Sequence, residues 1–313
     1  MAEVFVIEDK TYAGEAAGQF IRRAITGADT LNGGHAYVKD GIKKKFTIPR
    51  IAGDYTDIIQ DYAPTPTPKG ELTVSKQVLQ PAIYEVYSEF NPQIWKEHWY
   101  ALQLRPELLD RTLPVEVQSV IVQQYAEFHA KFFNRIIWNG DTTASGATAF
   151  LKYFDGWIKK ISTNADTILV SSPTTLTVSN IQAELLKGYY AIPEALRYNP
   201  DMQYFVSYST WDLYAQSQIN QPYKGIDTTE EGVMMFKGKR VVRIADFPNN
   251  TYVIAKGNAN PSSNLWVGMN SSDDDTNVKV AMLQANSDYM FIKMLMAADV
   301  NCGWFEEIVY YGS

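Results

Sequence analysis

A single cysteine in 313 residues, Cys302, leaves no partner for an intrachain disulfide. It excludes the stapled scaffold of small secreted domains and fits a reducing compartment. Clustered cations are also scarce. The longest basic tract is Lys43-Lys44-Lys45 and the formal net charge is −7. A protein that grips phosphates needs grouped lysines and arginines to displace counterions, so tight nucleic-acid binding is disfavoured. A negative wall that keeps a nucleic acid from sticking remains allowed. No apolar run approaches the ~20 residues that cross a bilayer. Met1-Ala2-Glu3-Val4 lacks the basic and apolar regions of a signal peptide. The expectation is a protein made and folded in cytoplasm, with no membrane partner. The sequons at Asn249 and Asn270 then read as turn residues.

Signatures of catalysis are missing as well. There is no cysteine pair for zinc, no His-Glu-x-x-His, no Gly-x-Ser-x-Gly and no Gly-x-Gly-x-x-Gly. Phe236-Lys237-Gly238-Lys239 has the flavour of a phosphate loop, but its spacing is wrong and it reads as a turn between strands. Of the three histidines, His129 lies on a helix beside Phe128 and Phe132, His98 lies between Glu97 and Trp99, and His35 stands alone. Packing with a hydrogen bond is the preferred reading for His129 and His98. Asp273-Asp274-Asp275 lacks the spacing and glycine of a calcium loop and reads as a solvated turn. Glu306-Glu307, read as part of a strand, would point to opposite faces and make no acid pair. No catalytic, cofactor-binding or metal-binding residue is expected, and the chain is read as a non-enzyme.

What is present is a load of large flat side chains: 20 tyrosines, 14 phenylalanines and 7 tryptophans. Such residues are enriched where surfaces meet. Residues 1–45 open irregularly, with a modest helix expected over Tyr12–Thr26 and a turn at Asp29-Thr30-Leu31-Asn32-Gly33-Gly34. The segment is too polar and glycine-rich to form a core, so it must lie on this subunit or a neighbour. Residues 46–80 read as a long two-stranded excursion. Its tip is Ala63-Pro64-Thr65-Pro66-Thr67-Pro68-Lys69-Gly70, where alternating prolines stiffen the chain. Residues 81–113 read as an aromatic connection. Pro114–Trp138 is the strongest helix, with Val117, Val120, Ile121, Tyr125, Phe128, Phe132, Ile136 and Ile137 at helical spacing and Asn139-Gly140 as a left-handed cap. At about 1.5 Å per residue it is a spine of roughly 37 Å. Phe154-Asp155-Gly156-Trp157-Ile158 reads as a flexible opening to the next region. There a Ser179–Gln182 capping box starts a helix with Ile181, Leu185, Leu186 and Tyr189 on its buried face. A strand over Gln203–Tyr208 and a short helix capped by Ser209 and ending at Leu213 come next. Strands are expected at Arg240–Ile244, Tyr252–Ala255, Leu265–Gly268, Tyr289–Ala297 and Trp304–Tyr311.

The order of these parts, with the helix closing in Trp138-Asn139-Gly140-Asp141 before Asp155-Gly156-Trp157, resembles the Hong-Kong-97-type major capsid proteins of tailed double-stranded DNA bacteriophages. The resemblance covers nearly the whole chain and implies an α+β fold. Its N-arm would be residues 1–42 and its extended loop 43–80. Its peripheral domain would combine 81–153 with 281–313, and its axial domain would be 154–280. It further implies a subunit that assembles with copies of itself into pentamers and hexamers of an icosahedral shell around double-stranded DNA. The DNA would make weak, non-specific contact. Portal, scaffolding and decoration proteins would be further partners, the virion capsid the location and the host cytoplasm the place of assembly. With the N-arm starting almost at residue 1, any scaffold is expected to be a separate protein or a short piece. An encapsulin-like nanocompartment shell is the alternative the same fold implies. Some family members join subunits by a lysine–asparagine isopeptide bond. Lys69 or Lys76 would be the donor here, but no asparagine or buried glutamate stands out to complete it, and ordinary surface lysines are preferred. Assembled material boiled without reductant is therefore expected to run as one band at the mass of a single chain. A ladder of multiples would establish the crosslink.

Overall fold

The structure is a computed structural model, and it describes residues 10–12, 24–53, 60–67, 72–91, 115–219, 234–270, 278–284 and 289–312. Among these, the strands form two six-stranded sheets and a two-stranded ribbon, and the architecture is α+β.

The first sheet is organised by β13 (Met290–Cys302), a 13-residue strand that is alternately buried as far as Leu295 and wholly buried from Met296. One flank of β13 carries β12 (Val278–Met282) and then β11 (Leu265–Asn270), both antiparallel. The other flank carries β5 (Ala82–Phe90), antiparallel over 290–298. Beyond β11 lies β2 (Tyr37–Lys39), parallel, and beyond β12 lies β1 (Lys10–Tyr12), antiparallel. The second sheet runs in the order β6 (Ile168–Leu169), β14 (Val309–Tyr311), β10 (Tyr252–Lys256), β7 (Met202–Ser207), β9 (Lys239–Ile244) and β8 (Met234–Phe236). The fully buried strand β7 is at its centre, and it continues into a helix over Tyr208–Ile219. The ribbon pairs β3 (Phe46–Gly53) with β4 (Leu72–Leu79), from Phe46↔Leu79 to Gly53↔Leu72.

Helix α1 (Asp29–Asn32) lies in the N-terminal segment, and α2 (Val115–Asn139) and α3 (Trp157–Thr163) follow it along the chain. The spine helix α2 matches its expected span within a residue, but its buried stripe is rotated from the expected one. Ile121, Val122, Ala126, His129, Ala130, Phe133, Ile136 and Ile137 are buried, whereas Phe128 is 55% exposed. The stripe uses Ala126 and Ala130, where short side chains let a neighbouring segment approach, and the larger Phe128 turns outward.

The end of α2 also differs from expectation. Gly140 is not in the left-handed region. It is glycine because the chain crosses itself there. Gly140 N donates to Ile136 O and Gly156 N donates to Gly140 O, both at 2.8 Å. A Cβ on Gly140 would collide with Phe154 O and lie 2.9 Å from Gly156 N, and one on Gly156 would lie 2.6 Å from Gly140 N. The stretch 154–158, expected to be flexible, is a packed joint with Phe154 and Trp157 buried.

Other readings are corrected. Tyr12, the expected start of a helix, is in a strand; residues 24–26 at its expected end are helical, and 13–23 lie outside the described residues. The aromatic connection contains the nine-residue strand β5. Trp304–Tyr311 is not a long strand: Phe305–Glu307 is a 3-10 turn and only Val309–Tyr311 pairs. The helix over Ile181–Ala191 begins after Asn180 with no side-chain cap, because Ser179 Oγ meets Thr177 Oγ1 instead. Ser207, not Ser209, caps the helix after β7 by accepting Thr210 N at 3.1 Å. Asn270 sits buried in β11, whereas Asn249 does lie in a turn. The Lys237-Gly238 turn is as expected, with both residues at positive φ between β8 and β9. The Asp273–Asp275 run lies outside the described residues.

Gly140→Ala and Gly156→Ala each force backbone atoms apart at this crossing and are expected to destabilise the fold by about 3 kcal/mol or more. A urea titration of each variant checks this. Wild-type midpoints would show that the approach is not needed.

Candidate functional site

The ribbon β3–β4 and the segment 24–42 are the parts least able to fold alone, so their attachment defines the site. At the ribbon's root, Ile42, Ile48, Leu79 and Trp266 form a small separate core. Tyr37 packs edge-on against Trp266 with centroids 4.6 Å apart, and Phe46 stacks at 6.3 Å. Trp266 Nε1 donates to Ser263 O at 2.7 Å, fixing the indole on β11. The eight-residue strands then carry the chain roughly 27 Å outward at about 3.4 Å per residue. Residues 60–67, which include most of the proline-rich tip, are exposed, Tyr62 almost completely (95%).

Segment 24–36 is docked on its own subunit. Ala24, Ile25, Ala28, Leu31 and Ala36 join the main core with α2 and the first sheet. Polar groups fix the register. Asn134 Oδ1 of α2 accepts both Thr30 N (3.1 Å) and Thr30 Oγ1 (2.8 Å), and Trp138 Nε1 donates to Thr30 Oγ1 at 2.9 Å. Asn134 Nδ2 donates onward to Ala245 O, just beyond β9. One side chain thus ties the N-terminal segment, the spine and the second sheet together.

His129 belongs to this attachment. Its Nδ1 lies 3.1 Å from Ala24 O, which can only accept, so Nδ1 carries the proton and Nε2 accepts the Tyr84 hydroxyl at 3.1 Å. The ring is stacked on Phe133 and Tyr84. Burial holds its pKa down to about 4. Burial also lowers His35, whose ring packs edge-on against Phe205. His98 lies outside the described residues.

The crossing of Gly140 and Gly156 is clamped by a polar knot. Lys159 Nζ donates to Asp141 Oδ1 (2.6 Å) and Asp155 Oδ1 (2.7 Å). Asp155 Oδ1 also accepts Thr142 N and Oγ1, both at 2.8 Å. The hydrogen bond from Lys159, with those from Thr143, holds Asp141 down to about 2. Lys159 is raised by the same pairing. All three groups therefore stay charged, so the knot is an ionic clamp and not an acid–base pair. Glu307 pairs with Lys256 at 2.8 Å on a turn, so the Glu306-Glu307 carboxylates do not have the strand geometry expected of them. Among the described residues no three His, Cys, Asp or Glu side chains gather as a metal site, and no helix is long and apolar enough to cross a membrane. Lys69 and the side chain of Lys76 lie outside the described residues. The knot's Asp141 and Asp155 stand in the segments that carry the resemblance, but Lys159, Asn134 and two β13 side chains, Asp299 and Asn301, match no sequence motif. The last two do carry a signal, as polar residues in the apolar run Met294-Leu295-Met296-Ala297-Ala298-Asp299-Val300-Asn301.

Because the folded state disfavours charged His129, its contribution to stability is intact above pH ~6.5 and is lost as pH falls toward 4. At about 1.4 kcal/mol per pH unit, that window is worth a few kcal/mol. His129→Gln is expected to lower stability at pH 7.5 yet flatten the loss between pH 6.5 and 4.5, leaving the share due to His35. Urea midpoints at both pH values measure it, and an unchanged slope would contradict the assignment.

No family model matches the chain, and no curated protein does. Solved structures do. A chain of the satellite phage P4 procapsid, a structure that includes the size determination protein Sid, is similar with TM-score 0.63 at 14% identity, over 99% of this chain and 93% of that one. A chain of the cyanophage A-1(L) capsid matches with TM-score 0.56 at 12% identity, over 90% and 92%. A virus-like particle from Pyrococcus furiosus matches with TM-score 0.52 at 11% identity, over 95% and 98%. With these likenesses running over nearly the full chain, this protein has the Hong-Kong-97-type capsid fold.

Proposed function

We propose that this chain is the major capsid protein of a tailed bacteriophage, a structural subunit and not an enzyme. It self-assembles as pentamers and hexamers into an icosahedral shell around double-stranded DNA. The observation that carries this reading is the ribbon β3–β4, which has a built root and an exposed tip. A two-stranded ribbon is marginal alone in water, so a neighbouring copy is the surface that orders its outer end. Exposed large side chains on the body, Ile83 and Tyr87 of β5 and Phe128 of α2, provide apolar area for such contacts. Repeated around closed rings, one such interface builds a shell instead of a fibre.

In this reading residues 1–42 are the N-arm, 43–80 the extended loop, 81–153 with 281–313 the peripheral domain and 154–280 the axial domain. The two sheets cross these bounds, since β11 and β12 hydrogen-bond within the first sheet with β13, and β14 within the second. Portal, scaffolding and decoration proteins are the further partners, and assembly takes place in the host cytoplasm. The net charge of −7 supports weak, non-specific contact with the packaged DNA. An encapsulin-like compartment is the second reading, which the same fold allows.

Purified protein is expected to show closed particles by negative-stain microscopy. Deleting Ala63–Gly70 is expected to abolish them while leaving the subunit folded. Full-yield particles from the deletion would overturn the role given to the ribbon, and protein cargo in place of DNA would select the second reading.

A further inference from the structure

The ribbon leaves the body beside the end of a backbone ladder. The β5–β13 pairing ends at Ala82↔Ala298. Immediately beyond it, two side chains of β13 take over from the backbone. Asp299 Oδ2 accepts Gln80 N at 2.8 Å, and Asn301 Nδ2 donates to Val78 O at 2.6 Å. Val78 is the last residue but one of β4 and Gln80 is the first residue after it, so both bonds fall on the return limb of the ribbon where it re-enters the body. Neither side chain is free to drift. Asp299 Oδ1 accepts Val300 N (2.8 Å) and Lys160 Nζ (3.1 Å), and Lys160 also donates to Val300 O. Asn301 Oδ1 accepts Cys302 N at 2.8 Å, and Trp157 Nε1 donates to Asn301 O at 3.2 Å. Both Lys160 and Trp157 belong to α3, the helix that starts at the Gly140–Gly156 crossing.

We infer that Asp299 and Asn301 are positioning residues that set the angle between the β3–β4 ribbon and the body, and through it the curvature of the shell the ribbon helps to build. The physical reason is leverage. The ribbon reaches roughly 27 Å from its root at about 3.4 Å per residue, so a tilt of a few degrees at Val78–Gln80 moves the tip by ångströms. An apolar core such as Ile42, Ile48, Leu79 and Trp266 holds the root without fixing direction, because hydrophobic contact is non-directional. Two directional bonds from alternate residues of one strand fix it. The curvature half of this inference rests on the shell reading; the angle half does not.

The test uses full-length protein carrying spin labels at Tyr62→Cys on the tip and Tyr198→Cys on the body, both exposed sites, with buried Cys302 left in place. Asp299 accepts three donors on two oxygens, and Asp299→Asn turns one of those oxygens into a donor, so either Gln80 N or the Val300 N and Lys160 pair loses its acceptor. Asn301→Asp keeps the size and the bond to Cys302 N but turns an acceptor toward Val78 O. In unassembled protein, the tip-to-body distance distribution is expected to at least double in width in both variants, and to broaden less in Lys160→Met. Wild-type widths in folded variants would overturn the latch. Should the two β13 variants fail to fold, Lys160→Met and amide exchange of the wild type decide. Gln80 N–H is expected to exchange at least tenfold more slowly than Tyr62 N–H, and equal rates would overturn the latch. For assembled protein, more than one particle diameter is expected from the variants where the wild type gives one. A broadened ribbon with unchanged diameters would overturn the curvature half alone. Absence of particles from the wild type would overturn the shell reading and leave the angle to the distance measurement.

Discussion

The fold depends on one close approach, the crossing of the backbone at Gly140 and Gly156. Only residues without a Cβ let the end of the spine helix lie against the start of α3. Everything nearby depends on that distance. Trp138 and Trp157, each buried completely, meet edge-to-face with centroids 4.9 Å apart because their backbones are that close. Trp138 then reaches Phe205 of β7 and Phe247 after β9, so the spine is seated on the second sheet at the point where the chain passes into it. The Asp141–Lys159–Asp155 clamp sits on the outside of the same crossing, partly in water. Exposed ion pairs contribute little to stability, and its use is to hold Lys159 and Thr142 across the joint in one register.

The attachments on either side of this joint are of two kinds. Segment 24–36 is buried in the main core and tied by Thr30, Asn134 and His129, so it is part of its own subunit's fold. The ribbon is attached by a four-residue core and by single side chains at its return limb. Stability is therefore graded along the chain, from a core with many buried contacts to an exposed tip. Segments at the low end of such a gradient are the ones that complete themselves on a partner.

Much of this architecture is legible in the sequence, and the failures have physical causes. The spine helix, the ribbon and the strands β7, β9, β10 and β11 are readable from helical spacing, alternation or short apolar runs bounded by turn residues. Strand β5 is obscured: Tyr84, Tyr87 and Phe90 recur every third residue and hide the alternation that buries Tyr84 and exposes Tyr87. The face of the spine is misleading because Phe128 is large and apolar, whereas the segment packed there needs the small Ala126 and Ala130. Trp304–Tyr311 is apolar enough for a strand, but Glu307 folds back to Lys256 and leaves only three residues to pair. Gly140 is recognisable as a helix end, yet its reason is a contact 16 residues away that no local pattern reports. The resemblance of part order to a known fold carries more than any motif, since the order of elements survives at identities where motifs do not.

The joints that matter for position are polar, and this has a reason beyond stability. Asn134, Asp299 and Asn301 are buried among apolar neighbours, where each unsatisfied group would cost about 1–3 kcal/mol. Apolar replacements of the same size would hold the same elements together at least as firmly, but in more than one register. A buried amide or carboxylate is satisfied in one arrangement only, so every competing arrangement carries the desolvation cost. Under the proposed shell reading the same geometry repeats many times over, and discrimination among near-identical packings then matters more than the depth of any one of them. The placement of these three side chains, between the N-terminal segment and the spine and between the ribbon and β13, puts that discrimination at the hinges from which small errors would be magnified.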